Sequence, residues 1–104
     1  MDRKAIEAIK KFASGLKKDF SVEKIIFFGS RTGDDYLDLS DIDLVVISPD
    51  FEGIDLSKRM SIMYRYWNNK YDVDFLCYTP KEFGKFSKMI SIAREAVKTG
   101  IIVK

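Results

Sequence analysis

Histidine is absent from the 104 residues and cysteine occurs once, as Cys77. Serine–histidine–aspartate catalysis, zinc held by Cys/His sets and an intramolecular disulfide are thereby excluded. Proline occurs twice and glycine six times, too sparsely for a linker or low-complexity tract, and no internal repeat is present. No apolar run approaches the roughly 18 residues that a membrane helix needs. The opening "MDRKAIEAIKKF" is a charged amphipathic pattern rather than a signal peptide, so the expected location is the cytoplasm. Neither sign of charge dominates: 18 Lys and Arg against 16 Asp and Glu leave a formal net charge of +2. The basic residues are scattered, so strong non-specific nucleic-acid binding is not indicated, although a local basic groove would be compatible with them. Carboxylates are the main catalytic groups left.

What is present is enough for a core. The chain is 46% apolar and 33% charged, the balance of a globular protein, and its length suits a single domain over residues 1–104. Residues 2–18 carry Ile6, Ile9, Phe12, Ala13 and Leu16 at spacings of three and four, which predicts a helix with one buried face. "SVEKIIFF" and "DIDLVVIS" read as two largely buried strands, ended by Gly29 and Pro49. Between them "SRTGDDYLDLS" reads as a short helical turn and a loop. Residues 55–69 predict a second long helix with Leu56, Met60, Met63, Tyr64 and Trp67 on one face and Lys58, Arg59, Arg65 and Asn68 elsewhere. "YDVDFLCYT" is a third strand. Thr79-Pro80-Lys81-Glu82 has the spacing of a capping box with proline at the first helical position. The helix it opens carries Phe83, Phe86, Ile90, Ala93 and Val97, with Gly100 as its stop before "IIVK". The order predicts an α/β (α+β) fold: a small three-stranded mixed sheet flanked by helices.

Two aspartates, Asp41 and Asp43, stand at the head of the second strand. Side chains two apart on a strand share a face, with Cα atoms about 6.6 Å apart, while Ile42 and Leu44 face the other way. Like charges this close cost stability unless a cation or hydrogen bonds compensate. Hard divalent cations such as Mg²⁺ bind through a few carboxylates and complete their shells with water and substrate phosphates. Gly29-Ser30 supplies a phosphate side, because glycine permits close backbone approach and a helix starting at Ser30 would aim free N–H groups at an anion. A third carboxylate would activate an attacking hydroxyl and complete a two-metal site. The third strand offers Asp72 and Asp74 on one face. Asp74 is preferred because it stands deeper in "VDFLCY", where an unpaired charge is harder to explain structurally; the alternative, with Asp72 as the third carboxylate, is close behind.

Gly-Ser-Arg at 29–31, Ser-Asp-Ile-Asp-Leu at 40–44 and the downstream "VDFL" together resemble the minimal nucleotidyltransferases of the DNA polymerase β-like superfamily, from about Ile25 to Thr79. The resemblance implies Mg²⁺-dependent transfer of a nucleoside monophosphate, AMP from ATP, to a hydroxyl, with release of pyrophosphate. It implies that Gly29, Ser30 and Arg31 bind the triphosphate and that Asp41, Asp43 and Asp74 hold metal and carry catalysis. One departure is Gly33, one residue earlier than the second glycine in the family's usual turn. Such proteins are commonly paired with small helical HEPN-type proteins in toxin–antitoxin systems, which makes a partner of that kind the expected acceptor. An antitoxin-like binding subunit with little turnover, and a degenerate copy that binds nucleotide only, are the competing readings.

Other features have plainer explanations. Asp34, Asp35 and Asp38 read as a solvated loop, and Lys58, Arg59 and Arg65 as a solvated helix face. Cys77 is out of parity with Asp74 and reads as a small buried hydrophobe. Met60, Met63, Trp67, Phe83, Phe86 and Ile90 read as core.

Overall fold

The computed structural model describes residues 3–28, 42–68, 71–89 and 101–102. Helix α1 (Arg3–Leu16) buries Ala5, Ala8, Ile9, Phe12, Ala13 and Leu16, the stripe expected from the three-and-four spacing. Strand β1 (Lys24–Phe28) pairs antiparallel with β2 (Ile42–Ile47), which pairs parallel with β3 (Val73–Tyr78). Parallel pairing requires a crossover. Here it consists of a single 3-10 turn (Pro49–Phe51) and helix α2 (Leu56–Tyr66). Helix α3 (Pro80–Met89) follows β3. The predicted three-stranded mixed sheet carries in addition a two-residue edge strand, β4 (Ile101–Ile102), antiparallel to β1, so the order is β3-β2-β1-β4.

The sheet divides the core in two. One face joins Ile25 and Phe27 of β1, Ile42, Leu44 and Val46 of β2, and Val73, Phe75 and Cys77 of β3 to α1 and to Met63 of α2. Phe12, Trp67 and Phe75 form an aromatic cluster within it, with centroids 5.2 Å (Phe12–Phe75), 5.6 Å (Phe12–Trp67) and 6.1 Å (Trp67–Phe75) apart. Each fully buried large side chain contributes about 1.5–3 kcal/mol of transfer free energy, so α1 is held mainly by Ile9, Phe12 and Leu16. The opposite face is smaller: Ile26, Val45 and Ile47, with Leu76, Tyr78 and Phe83 packed against them.

Local signals account for the element ends. The Asp55 carboxylate accepts from the Lys58 N–H at 2.9 Å and caps α2. Gly53 takes φ 81, a left-handed turn into that helix that a side chain would strain. At the head of α3 the Thr79 N–H donates to Glu82 Oε1 at 2.9 Å and the Glu82 N–H donates to Thr79 Oγ1 at 3.2 Å, the reciprocal capping box expected from the spacing.

Helix α2 departs from expectation. Leu56, Met60 and Tyr64 are exposed (58%, 37% and 44%), whereas Arg59 is buried (5%) beside Met63 (0%). The buried stripe is therefore Arg59, Ile62, Met63 and Tyr66, at i, i+3, i+4 and i+7. Arg59 is inside because every polar atom of its head has an acceptor. Nε–H donates to Ile54 O (2.7 Å), Nη1–H to Cys77 O (3.1 Å) and Glu82 Oε1 (2.6 Å), and Nη2–H to Glu82 Oε2 (3.2 Å). Its guanidinium carbon also lies 5.6 Å from the Phe51 ring centroid. The bond to Glu82 raises the arginine pKa, and the same bond, supported by the Thr79 N–H, lowers that of Glu82. Arg59 is thus a clamp between α2, β3 and α3 rather than part of a solvated face, and Met60 is not core.

Candidate active site

Asp43 and Asp74 are direct register partners across the parallel β2–β3 pair. Both occupy the second position of their strands, on the face opposite Ile42, Leu44, Val73 and Phe75. Neighbouring strands lie about 4.7–4.9 Å apart, so the two carboxylates leave the sheet side by side. Asp43 is half-buried and Asp74 exposed. The exposure of Asp74 overturns the burial argument used to prefer it over Asp72; the register with Asp43 takes that argument's place, since Asp72 lies before the strand begins. On the other flank Phe28, the last residue of β1, is the register partner of Asp43. Gly29, Ser30, Arg31 and Asp41 lie outside the described residues, as do Asp34, Asp35 and Asp38. Among the described residues no group of three or more His, Cys, Asp and Glu forms a metal site. The pair Asp43 and Asp74 nevertheless suits a hard cation, because both donors are carboxylate oxygens presented from one face at one strand spacing.

Beside Asp74 the edge of the sheet opens into a depression of about 440 Å³ lined by Tyr64, Trp67, Tyr71, Asp72, Val73 and Asp74. The Tyr64 hydroxyl donates to Val73 O at 2.7 Å and the Trp67 Nε1–H to Tyr71 O at 2.9 Å. Tyr64 also meets Phe75 edge to face at 5.1 Å. Two rings of the depression are therefore fixed at their polar tips and from beneath. Trp67 was read from sequence as core alone and Tyr64 only as part of the helix stripe. The available signal was the run of aromatic residues from Tyr64 to Tyr71 leading directly into the two aspartates. A depression of similar size, lined by Lys17, Phe20, Ser21, Val22, Glu23 and Pro49, lies at the far end of the strands from the carboxylates.

Cys77 faces the first core cluster, opposite to Asp74, and burial pushes its thiol up to about 12. A thiol held protonated at neutral pH is a poor nucleophile.

The chain belongs to the nucleotidyltransferase domain family, which matches residues 9–97. Among curated proteins it is 39% identical over 62 residues to MJ0604 of Methanocaldococcus jannaschii, provisionally named a protein adenylyltransferase. That match covers 56% of this chain and 62% of the relative, so the chain spans less than two thirds of the relative's length. Among solved structures, a provisionally named nucleotidyltransferase from Sulfolobus solfataricus is 26% identical, with TM-score 0.59, over 94% of this chain and 74% of the other. BolA1 from Arabidopsis thaliana has TM-score 0.56 at 20% identity, over 72% of this chain and 94% of its own, a likeness of fold alone. Among the described residues no helix is long and apolar enough to cross a membrane.

Proposed function

We propose that this domain transfers a nucleoside monophosphate, AMP from ATP, to a hydroxyl on a protein partner. The reading rests on one observation above the rest: Asp43 and Asp74 are in register on one face of the sheet in a chain of the nucleotidyltransferase family. In this reading Asp43, Asp74 and Asp41 hold Mg²⁺, and Gly29, Ser30 and Arg31 bind the triphosphate. When bound, the cation supplies charge neutralisation for the phosphates and acidifies a coordinated hydroxyl. Asp74, exposed at the edge of the pair, accepts the proton of the attacking hydroxyl. As that oxygen bonds to the α-phosphorus, the bond from the α-phosphorus to the bridging oxygen breaks and pyrophosphate leaves with the electron pair. The protein acceptor follows the M. jannaschii relative's name, and a small helical HEPN-type partner follows the motif resemblance.

The test uses ATP labelled at the α- or the γ-phosphate, with Mg²⁺, the domain and its co-purified partner. The α-label should become protein-bound while the γ-label leaves in pyrophosphate. Loss of a general base typically costs about 10²- to 10⁴-fold, and Asp74→Asn should lose transfer on that scale. Transfer of the γ-label, or full transfer by Asp74→Asn, would contradict the assignment.

A further inference from the structure

Asp74 is the second residue of β3, and β3 is an edge of the described sheet, hydrogen-bonded to a neighbouring strand on one flank only. The ends of such strands fray readily. A carboxylate that must meet a cation there needs its backbone held from the other flank as well. We propose that Tyr64 is a positioning residue that supplies this hold: its hydroxyl, acting through the Val73 carbonyl, aims Asp74 at the metal. The proposal rests on the nucleotidyl-transfer reading, in which Asp74 holds Mg²⁺, and adds to it a residue that touches neither metal nor nucleotide.

Peptide geometry carries the argument. The Asp72 carbonyl turns toward β2, where it accepts from the Ile42 N–H at 2.9 Å, and at the far end of the strand Tyr78 O accepts from the Ser48 N–H at 3.0 Å. Backbone groups alternate in direction along a strand, so the carbonyls of Val73, Phe75 and Cys77 turn away from β2. The outward Val73 carbonyl accepts from the Tyr64 hydroxyl at 2.7 Å. It belongs to the peptide plane that joins Val73 to Asp74, and in a planar trans peptide the N–H points opposite to the C=O. Holding Val73 O outward therefore holds the Asp74 N–H toward β2, and with it the direction in which the Asp74 side chain leaves the sheet. Asp43, the register partner of Asp74, stands on β2 and is held from both flanks by β1 and β3.

The brace is itself anchored. The Tyr64 ring meets Phe75 edge to face at 5.1 Å, on the sheet face opposite the two aspartates, so its hydroxyl reaches the strand from behind the site. Three residues on, the Trp67 Nε1–H donates to Tyr71 O at 2.9 Å, and its ring packs on Phe12 and Phe75 with centroids 5.6 and 6.1 Å away. The chain entering β3 is thus tied at Tyr71 and again at Val73 to side chains that the core already holds.

Tyr64→Phe removes the hydroxyl and keeps the ring against Phe75. Tyr66→Phe is the control, since it makes the same change on the same helix but loses a 2.6 Å bond to Asp19 instead. Amide hydrogen exchange of the metal-free protein is followed at Ile42 and Ser48, which donate to Asp72 and Tyr78 at either end of β3. One hydrogen bond is worth roughly two- to tenfold in local opening, so Tyr64→Phe should speed exchange at Ile42 by about that factor and leave Ser48 unchanged. Calorimetry of Mg²⁺–ATP should show binding about tenfold weaker in Tyr64→Phe, the scale on which groups that orient metal ligands act, and unchanged in Tyr66→Phe. Equal acceleration at Ile42 and Ser48 would make Tyr64 merely structural and overturn the proposal, as would unchanged exchange at Ile42. The calorimetry separates the two readings: a parent that binds Mg²⁺–ATP no better than Tyr64→Phe does loses only the positioning role, whereas a parent that binds no nucleotide loses the function beneath it as well.

Discussion

Arg59→Met removes the charge that joins α2 to β3 and α3 and keeps most of the side-chain volume. It deletes the Arg59 donors to Ile54 O, Cys77 O and both oxygens of Glu82. Breaking one side of a buried pair typically costs about 3–5 kcal/mol. The Arg59 side chain is 6% exposed but that of Glu82 is 35% exposed, so the stranded carboxylate can recover hydration and the cost should sit near the lower end, about 3 kcal/mol. For a domain of this size each kcal/mol is worth roughly 4–8 °C, so the variant should melt about 12–24 °C below the parent by differential scanning calorimetry. The exposed Arg65 is the control, and Arg65→Met should stay within about 0.5 kcal/mol. The pH dependence has a definite sign. Because the folded protein lowers the Glu82 pKa, the unfolded chain takes up the proton first as pH falls, so this contribution is present at neutral pH and is lost in acid. The gap between parent and Glu82→Gln should be full at pH 7 and close as pH drops below the ordinary glutamate value of about 4.3. An Arg59→Met variant no less stable than Arg65→Met would refute the clamp and restore the solvated face.

Leu56→Ser and Met60→Ser should each cost no more than about 0.5 kcal/mol in urea melts, because both side chains are exposed, whereas Met63→Ala should cost about 2–5 kcal/mol. Cys77 should react with a disulfide reagent only when the protein opens, so labelling should track unfolding; rapid labelling at pH 7–8 would contradict its buried, protonated state. The raised thiol pKa also means that the unfolded chain ionises first in alkali, so this contribution to stability is lost as pH rises from about 8.5 toward about 12. Without metal, Asp74→Asn should be as stable as the parent or more so by up to about 1 kcal/mol, since two charges about 5 Å apart repel by that order near water's dielectric constant. A clear loss of stability would make Asp74 structural.

Strand parity was the most legible layer of the sequence. It separated Asp43 from Ile42 and Leu44, and Asp74 from Cys77, because alternation is a property of the backbone itself. The Thr79–Glu82 box was legible for the same reason, being a local exchange of hydrogen bonds. Helix α2 was not, because its two candidate stripes share Met63, and apolar counting favours the one containing Met60 over the one containing Arg59. The deciding partner, Glu82, lies 23 residues away. β4 was missed because two residues carry no periodicity and its partner, β1, is distant in sequence. The depression was missed because Tyr64 and Trp67 serve the core with one side and the surface with the other.

Calorimetric titration of ATP in Mg²⁺ and in EDTA, with the parent and Asp43→Asn, tests the central claim most directly, since it needs no acceptor. Carboxylates that hold the cation for the phosphates predict binding in Mg²⁺ that weakens about 10- to 100-fold when the metal or the Asp43 charge is removed. Equal affinities in Mg²⁺ and in EDTA, unchanged by Asp43→Asn, would contradict it.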